Sequence, residues 1–105
     1  MILAHIIVRD KEQAMEIASC LTRKKLILNA GISVKEVFEL NKRTKKLERK
    51  EQTLIIGKTK ALLFAEINNA LKTKYKETMP WLYAIPIVYM DEEQTIFLRA
   101  NTAKI

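Results

Sequence analysis

The stretch Ile27-Leu-Asn-Ala-Gly-Ile-Ser-Val-Lys-Glu-Val-Phe-Glu-Leu40 decides the fold. Leu28, Ala30, Ile32, Val34, Phe38 and Leu40 fall at every second position, with Asn29, Gly31, Ser33, Lys35 and Glu39 between them. That period of two is the mark of a β-strand; Glu36 is the one break on its apolar side. At about 3.3 Å per residue a strand of this length runs roughly 45 Å, well beyond the usual five or six residues. Directly after it, Asn41 to Lys50 carries Lys42, Arg43, Lys45, Lys46, Arg49 and Lys50 against a single carboxylate, Glu48. This segment reads as the solvated tip of a hairpin, and the chain returns through Thr53-Leu54-Ile55-Ile56.

Working outward, residues 2 to 8 are apolar on both alternations, with β-branched Ile2, Ile6, Ile7 and Val8, as in a strand covered on both faces. Asp10, with Gln13 three residues on, forms the signature of a capped helix start. Ala14, Ile17, Ala18 and Leu21 then make one helical stripe ending in Arg23-Lys24-Lys25, cations suited to a helix C-terminus, so a helix is expected over about 11 to 25. Thr59 is read as the N-cap of a second helix, whose stripe is Leu63, Phe64, Ile67, Ala70 and Leu71 and which fades near Lys74. Leu82 to Met90 reads as a strand that Pro86 confines to a sheet edge or a bulge, and Thr95 to Arg99 as a short last strand.

The order β, α, β, β, α, β is the split βαβ, or ferredoxin-like, arrangement: an α+β fold with an antiparallel sheet and two helices on one face, forming a single domain over residues 1–105. Two helices cover one face only. Since residues 2–8 and 82–90 are apolar on both alternations, the other face is expected to be covered by further copies of the chain.

Composition narrows the function classes. The chain has 105 residues, of which 49% are apolar and 30% charged, with two Gly and two Pro. Collagen-like, mucin-like and disordered classes are excluded, and one core is all this length supports. Nineteen Lys and Arg against twelve Asp and Glu leave a net charge of +7, a bias toward anionic partners. A lone cysteine, Cys20, allows no disulfide within the chain and suits a reducing compartment. The apolar start has no basic leader and no small-x-small cleavage site, and no run nears the roughly 18 apolar residues of a membrane span. A soluble cytoplasmic protein with no membrane partner is therefore expected.

Nearly the whole chain resembles the CutA divalent-cation-tolerance family. The resemblance is carried by Ala14 through Leu21 with Lys25-Leu26, by Glu51-Gln-Thr-Leu-Ile-Ile-Gly-Lys-Thr59, and by Pro80-Trp-Leu-Tyr-Ala-Ile-Pro-Ile87. It implies a small ferredoxin-like chain that assembles as a homotrimer and takes part, without catalysis, in tolerance of or response to divalent cations such as copper. Four places depart from the family pattern. Ile27-Leu28-Asn29-Ala30 stands where the family has Ala-Ala-Cys-Val, and Tyr75-Lys76-Glu77 where it has His-Pro-Tyr. Leu40 and Lys42 do not match its hairpin aromatic pair, and Phe97-Leu98-Arg99-Ala100 replaces its Tyr-x-x-Trp.

The residues offer little metal chemistry. Copper and zinc call for several imidazole or thiolate donors converging on one ion, yet His5 and Cys20 sit on different elements without partners at ligand spacing. No metal site is assigned, no cofactor is expected, and any divalent metal should bind weakly. No Ser/His/Asp or Cys/His set supports catalysis, so no enzyme is expected. Gly57-Lys58-Thr59 leaves a strand for a helix but lacks the first glycine of a phosphate loop. Free amides there with Lys58 make an anion site, or else Lys58 pairs with Glu51 across a subunit junction; Glu51, Lys58 and Thr59 are the candidate site under both readings. The alternative function is a trimeric sensor in the manner of the PII proteins, taking a small anionic ligand at subunit clefts. A basic nucleic-acid-binding module is the third reading. It is the least favoured, because no aromatic residue lies between Asn41 and Lys50 to stack on a base.

Overall fold

A computed structural model describes residues 1–104. Strand β1 (Ile2–Val8) leads to helix α1 (Lys11–Arg23), and strands β2 (Ala30–Leu40) and β3 (Leu47–Thr59) form the long hairpin. A 3-10 turn at Ala61–Leu63 opens into α2 (Phe64–Tyr75), and a second at Lys76–Thr78 precedes β4 (Trp81–Pro86) and α3 (Glu92–Ala100). The four strands make one sheet in the order β2-β3-β1-β4, antiparallel at every junction. The ferredoxin-like α+β arrangement expected from the element order is present, with a third helix appended.

Register divides the side chains between two faces. Ala4, Ile6 and Val8 of β1 and Ile55 of β3 point to the helix side and are buried with Ala14, Ile17, Ala18 and Leu21 of α1 and Ile67 and Leu71 of α2. Helix α1 begins as its sequence dictates: the Gln13 amide donates to Asp10 Oδ1 at 2.8 Å, and the Arg9 amide donates to Gln13 Oε1 at 2.8 Å. The Asp10 carboxyl is held below its usual range, chiefly by the Gln13 amide. The helix ends in a Schellman motif. Lys25 takes the left-handed conformation at φ 59°, its amide donates to Thr22 O, and the Leu26 amide reaches back to Leu21 O at 2.9 Å.

The turn out of α1 drives Ile27 into the core, where it is 1% exposed. One row across the sheet reads Ala84, Ala4, Gly57, Ala30, all small, and this row accommodates the crossing chain. A Cβ on Gly57 would stand 2.9 Å from Ile27 Cγ2.

Several expectations need correction. Strand β2 starts at Ala30 rather than Ile27, because residues 27–29 are turning into the sheet. Strand β3 starts at Leu47 rather than Thr53, so the tip contracts to Asn41–Lys46. Leu40 pairs with Leu47, and Lys50 joins Glu39 at 3.2 Å, which extends the ladder through polar sequence. Strand β4 ends at Pro86, on a sheet edge as proline requires. Thr95–Arg99 is helical: Asp91 caps α3 by accepting from the Gln94 amide at 3.1 Å, and Glu92 and Glu93 fill the first turn. Thr59 does not cap α2. It is the last residue of β3, fully buried, and its hydroxyl donates to Leu26 O at 2.6 Å, bonding strand to loop instead of serving the helix.

Candidate functional site

The sheet face away from the helices carries the residues of greatest interest. Leu3, His5 and Ile7 of β1 lie opposite Ile85, Tyr83 and Trp81 of β4 on one side and Lys58, Ile56 and Leu54 of β3 on the other. Trp81 is 75% exposed, and Tyr83 and Ile85 are each 42% exposed. The His5 and Tyr83 rings meet at 5.2 Å between centroids, tilted by 43°. Burial among these side chains lowers the His5 pKa from its ordinary value, and the positive charge of Lys35 adds to the effect. Both effects favour the neutral imidazole.

The candidate residues Glu51, Lys58 and Thr59 are not brought together within the chain. Lys58 is exposed on the open face, beside a recess of about 420 Å³ that it lines with Asn29, Ala30, Gly31 and Ile56. Glu51 lies seven positions back along β3, on the other face, roughly 23 Å away along the strand. It stands opposite Glu36, a like-charge pair that Arg49 offsets at 3.9 Å from Glu36. Thr59, its hydroxyl turned into the core, offers nothing to a ligand. Any meeting of Lys58 with Glu51 requires a second copy of the chain.

His5 and Cys20 are separated by the sheet itself: His5 is on the open face, whereas Cys20 lines a groove of about 490 Å³ between α1 and α2. Among the described residues no group of three or more His, Cys, Asp or Glu could hold a metal ion. One chain therefore does not fit a resident copper or zinc. The rim of the helix groove carries a feature that sequence reading missed. Glu16 Oε1 accepts from Lys74 Nζ at 2.6 Å and from the Tyr75 hydroxyl at 2.8 Å. Burial, followed by the bond to Glu16, pushes the Tyr75 phenol up to about 12, while Lys74 and then Tyr75 hold the Glu16 carboxyl below its usual range. No sequence spacing announces this contact, since α1 and α2 meet only after folding. It ties α1 to the end of α2.

The family model described as CutA1 divalent ion tolerance protein matches residues 2–101. The chain belongs to the CutA1 divalent ion tolerance family. Solved CutA1 structures share the fold. The Archaeoglobus fulgidus protein, described as a periplasmic divalent cation tolerance protein, is 28% identical with a TM-score of 0.78, the match covering 93% of this chain and 95% of that one. The Thermus thermophilus divalent cation tolerance protein is 25% identical at 0.78, covering 98% and 100%. Pyrococcus horikoshii CutA1 is 22% identical at 0.85, covering 99% and 100%, a likeness of fold alone. Among curated proteins none matches the chain. No described helix is long and apolar enough to cross a membrane.

Proposed function

We propose that this CutA1 chain works as a non-catalytic, cytoplasmic homotrimer that contributes to tolerance of divalent cations such as copper. The observation that carries the reading is the open sheet face. Trp81, Tyr83 and Ile85 lie exposed beside half-buried Leu3, His5 and Ile7, and a face this apolar calls for a protein cover. In a symmetric assembly the same face serves every copy, and Lys58 of one copy comes to Glu51 or to a small anion at the junction. Among the described residues no thiolate and imidazole donors come together, which argues against tight chelation by the single subunit. The lone Cys20 favours a reducing compartment.

Light scattering after size exclusion tests the assembly, with an expected mass of about three times the 12.2 kDa chain. A mass that stays at one chain at high concentration would refute it. Growth of a CutA-deficient bacterium on copper, with the wild-type gene or a Trp81→Glu variant supplied, tests the role: the wild type should restore growth and the variant should not. Equal growth with and without the wild-type gene would overturn the tolerance reading even if the trimer stands.

A further inference from the structure

We infer that the groove between α1 and α2 binds a free apolar α-amino acid, with its side chain on the groove floor and its charged head between Lys24 and Glu66. The groove lies on the helix side of the sheet, away from the open face proposed to meet other copies, so this site stands or falls separately from the assembly.

The two walls are helical stripes. On α1, Ile17, Cys20, Leu21 and Lys24 recur at i, i+3, i+4 and i+7, and on α2, Glu66, Asn69, Ala70 and Thr73 do the same, so each set lies along one side of its helix. Ile17, Leu21 and Leu71 are buried and make an apolar floor. A volume of about 490 Å³ is that of a small-molecule site, in which such a floor is combined with a few convergent polar groups.

Charge decides the occupant. Each helix runs back along the sheet from the strand before it, and β1 and β3 are antiparallel, so α1 and α2 are antiparallel too. Glu16 is level with Lys74 and Tyr75, to which it is bonded, and that end of the groove is closed. Further along α1, by about 12 Å at 1.5 Å per residue, Lys24 comes level with Glu66. These two line opposite walls and are exposed, yet neither takes part in an ion pair among the described residues. A cation and a carboxylate facing each other across a gap match a head group that carries both charges in the reverse order, its carboxylate to Lys24 and its ammonium to Glu66. A fatty acid would gain at Lys24 and be repelled at Glu66, and an alkylamine the converse. The closed end excludes an occupant that must run through the groove, such as a partner helix.

Cys20, the lone cysteine of the chain, lines the groove and reports on its occupancy. The test is calorimetric titration of the intact, reduced protein with L-phenylalanine and L-leucine, together with the rate at which Cys20 reacts with an aromatic disulfide reagent in the presence and absence of each. Two analogues lacking one charge, 3-phenylpropionate and phenethylamine, are run beside them. The variants are Lys24→Gln, Glu66→Gln and, as a control, Lys72→Gln, an exposed α2 lysine outside the groove. All three positions are exposed, and unchanged circular dichroism and elution volume establish that each variant folds and assembles as the wild type does. Saturable binding of either amino acid that slows the Cys20 reaction, weakens by about tenfold or more in Lys24→Gln and in Glu66→Gln but not in Lys72→Gln, and falls similarly for both analogues, supports the proposal. No binding of either amino acid up to about 10 mM, binding that leaves the Cys20 rate unchanged, equal affinity for either analogue, or equal loss in all three variants would each overturn it.

Discussion

Replacing Gly57 by alanine sets two effects of opposite sign against each other. Gly57 has no positive φ, so an alanine fits the backbone there and, by restricting the unfolded chain, favours the folded state by about 0.4–1 kcal/mol. The added methyl has to share space with Ile27, whose Cγ2, Cβ and Cδ1 would lie at 2.9, 3.1 and 3.1 Å. Cβ is fixed to the backbone of Ile27, and the side chain is 1% exposed, so it has no open space to move into. Overpacking of this kind costs about 1–3 kcal/mol, and with three close atoms the upper half of that range applies. Steric cost wins. The expected result is a net loss of about 1–2.6 kcal/mol in urea unfolding, with the midpoint lowered and the slope unchanged. A double-mutant cycle with Ile27→Ala isolates the cause, since removing the Ile27 side chain makes room for the methyl and the double variant should be more stable than the sum of the singles implies. A neutral or stabilising Gly57→Ala, or strict additivity with Ile27→Ala, would refute the reasoning.

Lys25 holds a left-handed conformation that glycine adopts without cost, so Lys25→Gly should raise stability by up to about 1 kcal/mol in the same assay, whereas a loss would mean the Lys25 side chain has a role of its own. The His5 pKa is lowered on folding, so the unfolded chain binds its proton first. The stability His5 contributes is complete above the ordinary value of 6.5 and is lost as pH falls through the lower folded value. Unfolding midpoints at pH 5.5 and 7.5 should therefore differ more in the wild type than in His5→Gln; equal differences would contradict this. Titration calorimetry of the reduced, chelator-stripped protein with copper or zinc should show weak binding. Submicromolar binding that survives both His5→Ala and Cys20→Ser would place a site elsewhere, and loss with either one would point to a ring of that residue across copies. Lys58→Met should lower the melting temperature of the assembly or its affinity for sulfate; no change in either would leave Lys58 an ordinary surface lysine.

What the sequence made legible was whatever rests on local chemistry. Strand β1 and helix α1 follow from β-branched alternation and from Asp10 with Gln13. The same spacing recurs at Asp91 and Gln94, yet Thr95, Ile96 and Phe97 look like strand residues, and the cap overrides that preference once formed. The full length of β3 was hidden because Glu48-Arg-Lys-Glu51 resembles a loop. On a ribbon exposed on both faces no burial pattern forms, and cross-strand pairs such as Leu40↔Leu47 set the register. The small-residue row under Ile27 and the Glu16, Lys74 and Tyr75 contact join distant segments, which composition cannot foretell. At the candidate site, Lys58 was correctly placed near a strand end, but Thr59 was misread, since a hydroxyl at a strand-to-helix boundary serves a cap and a buried loop carbonyl equally well.

The central position of β1 has a consequence for synthesis. Ile6 finds its partner in Ile55 and Leu3 finds its second neighbour in Ile85, so β1 is synthesised before both of the strands that flank it. At roughly 5–20 residues per second, Ile2–Val8 waits about 3–10 s before β3 has been translated, and longer for β4. Throughout that interval a strand with seven consecutive residues destined for the middle of a sheet has both edges unpaired, while the β2–β3 hairpin, built from near neighbours, closes within about 1–10 μs of its synthesis. The nascent chain is thus most exposed to misassociation at β1, and the hairpin is the template on which β1 is finally captured.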